Sequence, residues 1–468
     1  MNNLTSLQRK FVYLGGIILL LIPIILLGGP PEPASVTPSG VGKSEGSSGQ
    51  GSSGGYLAQK RVEYSLGESD LGNVDPASST MNLLLLGFRG IATSMLWMDA
   101  QQQQRDKDWA GLRATTESII LLQPHFLKVW HFQGWNLAYN VSAEWDGVAD
   151  RYYWVKEGIK FFQKGRDRNF KYAELYWYVG DTTGKKIGRA DESKQYRRFF
   201  MHDPDEARFK GGPDKDVNPN AVDNYVEAST QFQRANDTIE KYHIEQHIMT
   251  PFLFRSYPVR AMFDYATALQ HDGHFDERCR NVWAEAFIAW TTKYGTMEFS
   301  IEGISDTLKI HLEVTADELK KMIAEEDAQH LNENERASNW VGRYQDTANY
   351  RYWRTRSRVE SEKEMADAHR EMYEGEQALD RADTTAARKL FLDGMTKYAK
   401  MLNEYPDLKN EDETIEEGML AIFGWQRAIE LDDDDIPDEF PLKEMWESHA
   451  ARRGTVKQEF DRRRRASR

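Results

Sequence analysis

Cysteine is almost absent: the 468-residue chain contains one, Cys279. A single thiol makes no intramolecular disulfide and no Cys-rich zinc site, which excludes disulfide scaffolds and zinc-ribbon domains. Cys279 reads as a core thiol. Positive charge is also in deficit. The formal net charge is -14, and an acidic surface argues against nucleic acid as the main partner, because backbone phosphates demand a basic one. Catalytic signatures are missing too: there is no P-loop, no G-x-S-x-G and no G-x-G-x-x-G after a strand. No catalytic residue and no cofactor follows from the motifs. Alternating strand patterns and βαβ units are hard to find.

What is present begins with a membrane pattern. Phe11 to Gly29 carries no charge and would be about 28 Å long as a helix, the thickness of a bilayer's hydrocarbon core. Arg9 and Lys10 precede it and Lys43 is the first cation after it, so the positive-inside rule puts residues 1–10 in the cytoplasm and the rest outside. The exit, LLGGPPEP, has no A-x-A-like cleavage site, which favours an uncleaved signal anchor over a removed signal peptide. From Pro30 to Gly55, eighteen of twenty-six residues are Gly, Ser or Pro, a composition that behaves as a flexible tether.

Beyond the tether the apolar residues recur at helical spacing. Helices are expected over Met81–Gln104, read as a buried core helix, and Leu112–Leu122, then from Phe126 onward. Further helices follow over Tyr152–Gly165, Tyr172–Ile187, Ala221–Gln233, Asn236–Met249, Phe252–Leu269, Phe275–Tyr294 and a long Trp340–Leu379. Residues 191–220 read as an irregular insertion. Short helices joined by short turns form antiparallel hairpins. The expected organisation is a helical repeat-like domain over 56–335 and a C-terminal helical region over 336–468.

Some spacings match a two-helix, 34-residue repeat. Trp130, Gln133-Gly134 and Leu137 partly reproduce the W-x2-L-G-x2-Y first helix, and Gly375, Ala387, Phe391 and Gly394 fall at later anchor positions, with Pro406 following. The stretch 87–139 carries Arg89, Leu96-Trp97, the turn Leu121-Leu122-Gln123-Pro124-His125-Phe126 and Phe132-Gln133-Gly134-Trp135. In that order it resembles the opening repeats of bacterial membrane-anchored tetratricopeptide-like proteins. Gln123 stands where those proteins have Asp, and Trp135 where they have a second Gly. The resemblance implies an envelope protein built of helical hairpins and transfers no catalytic residue. The expected class is all-α: a transmembrane helix, a linker, and a tetratricopeptide-like α-hairpin array, either an α-solenoid or an irregular helical bundle.

Two sets of residues are candidates for function. Trp130, Trp135, Tyr139, Tyr176 and Trp177 belong to an aromatic-rich stretch suited to gripping a protein partner in the envelope, since Tyr and Trp give contact area with few rotatable bonds. His243 and His247 in YHIEQHI have the spacing of one helical turn, at which two imidazoles share a metal. They support the alternative of an envelope metal-dependent enzyme or metal-binding protein, although Ile244 replaces the Glu of H-E-x-x-H. Charge adds a third feature. Residues 404–439 hold fourteen acidic and two basic residues, ending near Asp432 to Asp435. The basic tail Arg462 to Arg465 could fold back on that segment or touch anionic lipid or polymer.

Overall fold

The computed structural model describes residues 88–301 and 305–466. The expected stub 1–10, membrane span 11–29 and linker 30–55 lie outside the described residues. Among those described, no helix is long and apolar enough to cross a membrane. They are mostly helical, in keeping with an all-α class, with two short strands. The described residues divide into two compact units, one of residues up to Gln133 with Lys164–Lys171, the other of Gly134–Gln163 with the residues from Tyr172 on.

The first unit holds helices α1 (Arg89–Arg105) and α2 (Trp109–Leu122), most of α3 (Leu127–Trp135) and the end of α4 (Val148–Arg168). Asp108 starts α2 by accepting a hydrogen bond from Gly111 N at 3.0 Å, so a sharp α1–α2 hairpin follows. The LLQPHF turn is locked from two sides. Pro124 O accepts from Trp130 Nε1 at 2.8 Å and from Asn169 Nδ2 at 3.1 Å, while His125 Nδ1 lies 2.8 Å from Asn169 Oδ1. Gly165 makes this possible, because a Cβ there would sit 2.8 Å from the Trp130 ring. Helix α1 is not the core helix expected. Ile91, Met95 and Met98 are exposed, and Thr93 and Ala100 are buried in their place. Its Trp97 meets Phe126 and Phe132 edge-on at 5.5 and 4.9 Å, turning the aliphatic stripe outward.

The second unit continues α3 through a π-helical turn, Asn136–Val141, and packs it against α4. Helix α5 (Ala173–Asp181) runs through another π turn, Thr182–Lys186, and on to Arg189. Next come α6 (Ser193–Met201), α7 (Asn224–Tyr242), α8 (Pro251–His271) and α9 (Glu277–Ile288), which ends in a third π turn, Ala289–Tyr294. Strands β1 (Phe299–Ile301) and β2 (Ser305–Ile310) pair antiparallel, with Phe299 opposite Ile310. After them follow α10 (Ala316–Ala328), α11 (Ala337–Thr347), α12 (Tyr350–Glu360), α13 (Lys363–Asp380), α14 (Thr384–Glu404), α15 (Asp412–Glu430), α16 (Lys443–Ser448) and α17 (Arg453–Ala466). Val341, Ala348 and Tyr350 belong to the same core as Phe252 to Leu312.

Three helix boundaries differ from the sequence expectation. The two helices expected over Ala221–Gln233 and Asn236–Met249 are one, which ends at Tyr242. The long helix expected over Trp340–Leu379 is three. Asn349, in the left-handed region at φ 51, breaks it first, and Glu362, extended at ψ 141, breaks it again. Asn is one of the few residues that visits that region at low cost. In the C-terminal region α13 and α14 close tightly. A Cβ at Gly375 would lie 3.1 Å from the Phe391 ring and one at Gly394 3.0 Å from Ala368 O, so both glycines are there for helix approach.

The insertion 191–220 is ordered around buried charge. On α4, Lys156 pairs with Asp203 and lies 3.4 Å from Asp214, and Lys160 reaches Asp214 at 2.7 Å and Asp216 at 3.4 Å. Lys156, Asp203 and Asp214 are all buried. Removing one partner of a buried pair leaves an uncompensated charge and costs about 3–5 kcal/mol. Lys156→Met therefore lowers the thermal midpoint and opens residues 203–216 to limited proteolysis. A variant with unchanged midpoint and unchanged cleavage there would show that the clamp does not hold the insertion.

Candidate functional site

The aromatic residues singled out for partner binding separate by burial. Trp130 and Trp177 are buried, Trp177 among Tyr178, Phe232 and Tyr257, and neither ring offers a surface. Tyr139 and Tyr176 are half-buried. Trp135 is 41% exposed and stacks on Tyr139 at 5.4 Å with 15° between the rings. Two aromatics not singled out among the partner-binding residues join it: Trp145 is 44% and Tyr153 47% exposed. Trp154 stacks on Trp145 at 6.2 Å and meets Tyr153 edge-on at 5.4 Å. From Trp135 onward these residues lie on a single hairpin, formed by the π turn that ends α3 and by α4. It is closed by Gly134 against Phe162 and Gly158 against Ala138. The exposed rings therefore sit on a fixed backbone.

The two histidines expected to share a helical face do not share one. Helix α7 stops at Tyr242, His243 caps it in the left-handed region at φ 54, and His247 lies in the loop beyond. Both are exposed, and the loop gives no i,i+4 register. Among the described residues no group of three or more His, Cys, Asp and Glu is placed to hold a metal ion.

A different histidine lies at the centre of the most concentrated titratable cluster. A cleft of about 550 Å³ is lined from α8 by Gln270 and His271, from α12 by Arg356, from α13 by His369 and Glu376, and from α15 by Glu413 and Glu417. His369 Nδ1 is 2.6 Å from Glu417 Oε1. Its Nε2 is 2.9 Å from Glu360 Oε2, an ion-pair contact without hydrogen-bond alignment. Glu360 also accepts from Gln270 Nε2 at 2.8 Å and lies 3.6 Å from Arg356 Nε. Arg356 donates to Tyr352 Oη at 2.6 Å and pairs with Glu413 at the rim. Tyr398 Oη donates to Thr414 O at 3.3 Å beside Glu417.

These charges fix one another's protonation. Burial works to lower the His369 pKa, but Glu360 and Glu417 outweigh it and raise it from 6.5 to about 10. Burial works to raise Glu360 and Glu417, and His369 with Arg356 overcomes it, holding both carboxylates below the usual range. The two carboxylates thus favour the imidazolium form of His369 at neutral pH, with Nδ1 against Glu417 and Nε2 facing Glu360. His369 holds helices α12, α13 and α15 together and is not free to take a proton. Burial also lowers His271 and raises Glu376 on the same wall. The sequence carried two signals of this cluster that were not used: Arg356 and Glu360 at i,i+4, and a histidine set among Met365, Ala366, Ala368 and Met372.

The basic tail meets the acidic segment. Arg463 on α17 lies 3.4 Å from Glu416, and Arg452 pairs with Asp412. Val456 and Phe460 seat the tail helix in the C-terminal core. The run Asp432 to Asp435 is anchored by Arg388, 2.9 Å from Asp432 and 2.7 Å from Asp434. No protein-family model, no characterised protein and no solved structure matches the chain.

The pKa shifts give the network a defined pH window. A raised histidine contributes stability in full below its unfolded pKa, near 6.5, and loses it as pH rises toward about 10. Carboxylates held low contribute in full above about 4.5 and lose it in acid. Thermal midpoints measured from pH 5 to 10 should fall along the alkaline limb in the native protein. In His369→Gln that limb should flatten and the neutral-pH midpoint drop, by the equivalent of about 3–5 kcal/mol. Parallel curves for the two proteins would remove His369 as the source.

Proposed function

We propose that the chain is a membrane-anchored, tetratricopeptide-like helical-hairpin protein that serves as an interaction module in the bacterial cell envelope. Residues 11–29 would hold it in the cytoplasmic membrane with the N-terminus inside, and the helical part would work on the outer side of that membrane at the end of its tether. One observation carries the reading: the α3–α4 hairpin leaves Trp135, Trp145 and Tyr153 more than two-fifths exposed, two of them stacked on a second ring. Exposed aromatic side chains on a fixed backbone are what protein interfaces use as anchors. The close α13–α14 crossing at Gly375, Phe391 and Gly394 agrees with the hairpin-repeat half of the proposal. The occupant that fits is an apolar or proline-containing segment of an envelope protein, laid across the rings.

The test is crosslinking and pull-down from membranes with full-length tagged protein, beside the triple variant Trp135→Ala, Trp145→Ala, Tyr153→Ala. The native protein should capture a specific partner that the triple variant loses while its thermal midpoint is unchanged. Each single truncation should then weaken binding of the purified partner by about 2 kcal/mol, roughly thirtyfold in Kd. The same partners recovered by both forms would overturn the aromatic surface.

A further inference from the structure

A second recess, of about 320 Å³, opens between the π turn after α5 and helices α7, α8 and α12. Its lining carries Lys185, Arg189 and Arg260 against one carboxylate, Asp264. That is an excess of positive charge in a chain of net charge -14. Two of the three cations are paired. Lys185 lies 2.7 Å from Asp181, outside the lining, and Arg189 at the mouth lies 2.5 Å from Asp264.

Arg260 is different. Its Nε donates to Ser256 Oγ at 2.8 Å and its Nη2 to Ala348 O at 2.5 Å, both neutral acceptors, and no carboxylate pairs with it. Its other neighbour is the Trp290 ring, 5.7 Å away. Burial lowers its pKa, the sign of a cation held where water does not fully solvate it. Asp264, one turn along α8, attracts it electrostatically but is itself ion-paired with Arg189, which leaves the half-buried guanidinium open to an incoming anion.

The rest of the wall is apolar and flat. Trp353 stacks on Phe263 at 4.5 Å with 3° between the rings, which holds its indole in place, and Tyr257 packs against Trp177 and Phe232. The Lys185 ammonium lies 5.4 Å from the Tyr257 ring. The π turn puts Lys185 here, since one extra residue per turn re-aims the side chains that follow, and such turns gather at functional sites.

We infer that this recess binds a small organic anion, a carboxylate or phosphate monoester with a flat apolar body. The oxyanion meets the Arg260 guanidinium, with Lys185 as the second cation, and the apolar body lies between Tyr257 and Trp353. The volume is at the low end for ligand sites, which sets the size to a small molecule. The site is independent of the aromatic docking surface proposed above.

The experiment is titration calorimetry on the full-length protein in detergent, with benzoate, phenyl phosphate, inorganic phosphate and uncharged benzyl alcohol as probes. Benzoate and phenyl phosphate should bind saturably with one site, and benzyl alcohol should not bind. Phenyl phosphate should exceed inorganic phosphate, and whichever of benzoate and phenyl phosphate binds tighter identifies the head group. Arg260→Gln removes the charge and keeps two of the five N–H donors on a shorter side chain. It should fold with an unchanged or higher thermal midpoint and lose at least tenfold in affinity. No saturable binding of either aromatic anion, or binding undiminished in Arg260→Gln, would overturn the proposal. Equal affinity for inorganic phosphate and phenyl phosphate would overturn the apolar half of it.

Discussion

Helix α12 is the constraint on which the second unit depends. Its eleven residues, YRYWRTRSRVE, include four arginines and a glutamate, yet Tyr350, Ser357, Val359 and Glu360 are almost completely buried and Arg356 nearly so. An element with that composition is expected on a surface. It is internal because its aromatic residues serve two cores. Tyr350 packs with Trp290, whose Nε1 donates to Tyr350 O at 3.1 Å, and Tyr352 and Val359 belong to the C-terminal core. Trp353 packs against both.

Burying those rings forces charge inward with them. Arg356 and Glu360 lie one turn apart on the same helix and leave water together, and Glu360 alone does not satisfy the guanidinium. His369 from α13 and Glu417 from α15 complete the set: two cations and two carboxylates, with Glu360 buried, Glu417 half-buried and Glu413 at the rim. A balanced set is the only economical arrangement of such groups away from water. The same helix has a wall of opposite character, where Trp353 faces the recess around Arg260. Trp353, which lines the cationic recess, and Arg356, which lines the carboxylate-rich cleft, are three positions apart.

Much of the helical pattern was legible from sequence, because long amphipathic stretches such as 148–168, 251–271 and 384–404 keep one apolar face throughout. Boundaries were less so. The break at Asn349 has neither Gly nor Pro to announce it, and left-handed Asn leaves only a faint signal. The false break near Ala235 came from a polar patch in α7 whose Gln231, Asn236 and Thr238 are in fact buried. The expected His243–His247 pair failed for the same reason: the helix that would have aligned them ends one residue before the first. Neither the ionic cluster nor the cationic recess was readable, since their residues come from segments as distant as 185 and 353, or 270 and 417. Local were only the i,i+4 steps, from Arg356 to Glu360 in the cluster and from Asp181 to Lys185 and Arg260 to Asp264 at the recess.

The aromatic surface shows what sequence counting omits. Trp130 and Trp135 are five residues apart on one helix, about 140° in rotation, so they point to different sides. Gly165 fixes the phase of the first by letting the Trp130 ring press against the backbone. Adjacent Tyr152 and Tyr153 divide in the same way, one buried beside Tyr196 and Phe199 and one in solvent. An aromatic-rich stretch therefore contains both a core and a surface. Which residue serves which is decided by helical phase, and the phase is set by the glycines at the crossings. Exposure of Trp135 and Tyr153 follows from helical phase, whereas Trp145 lies in the loop between the two helices of the hairpin.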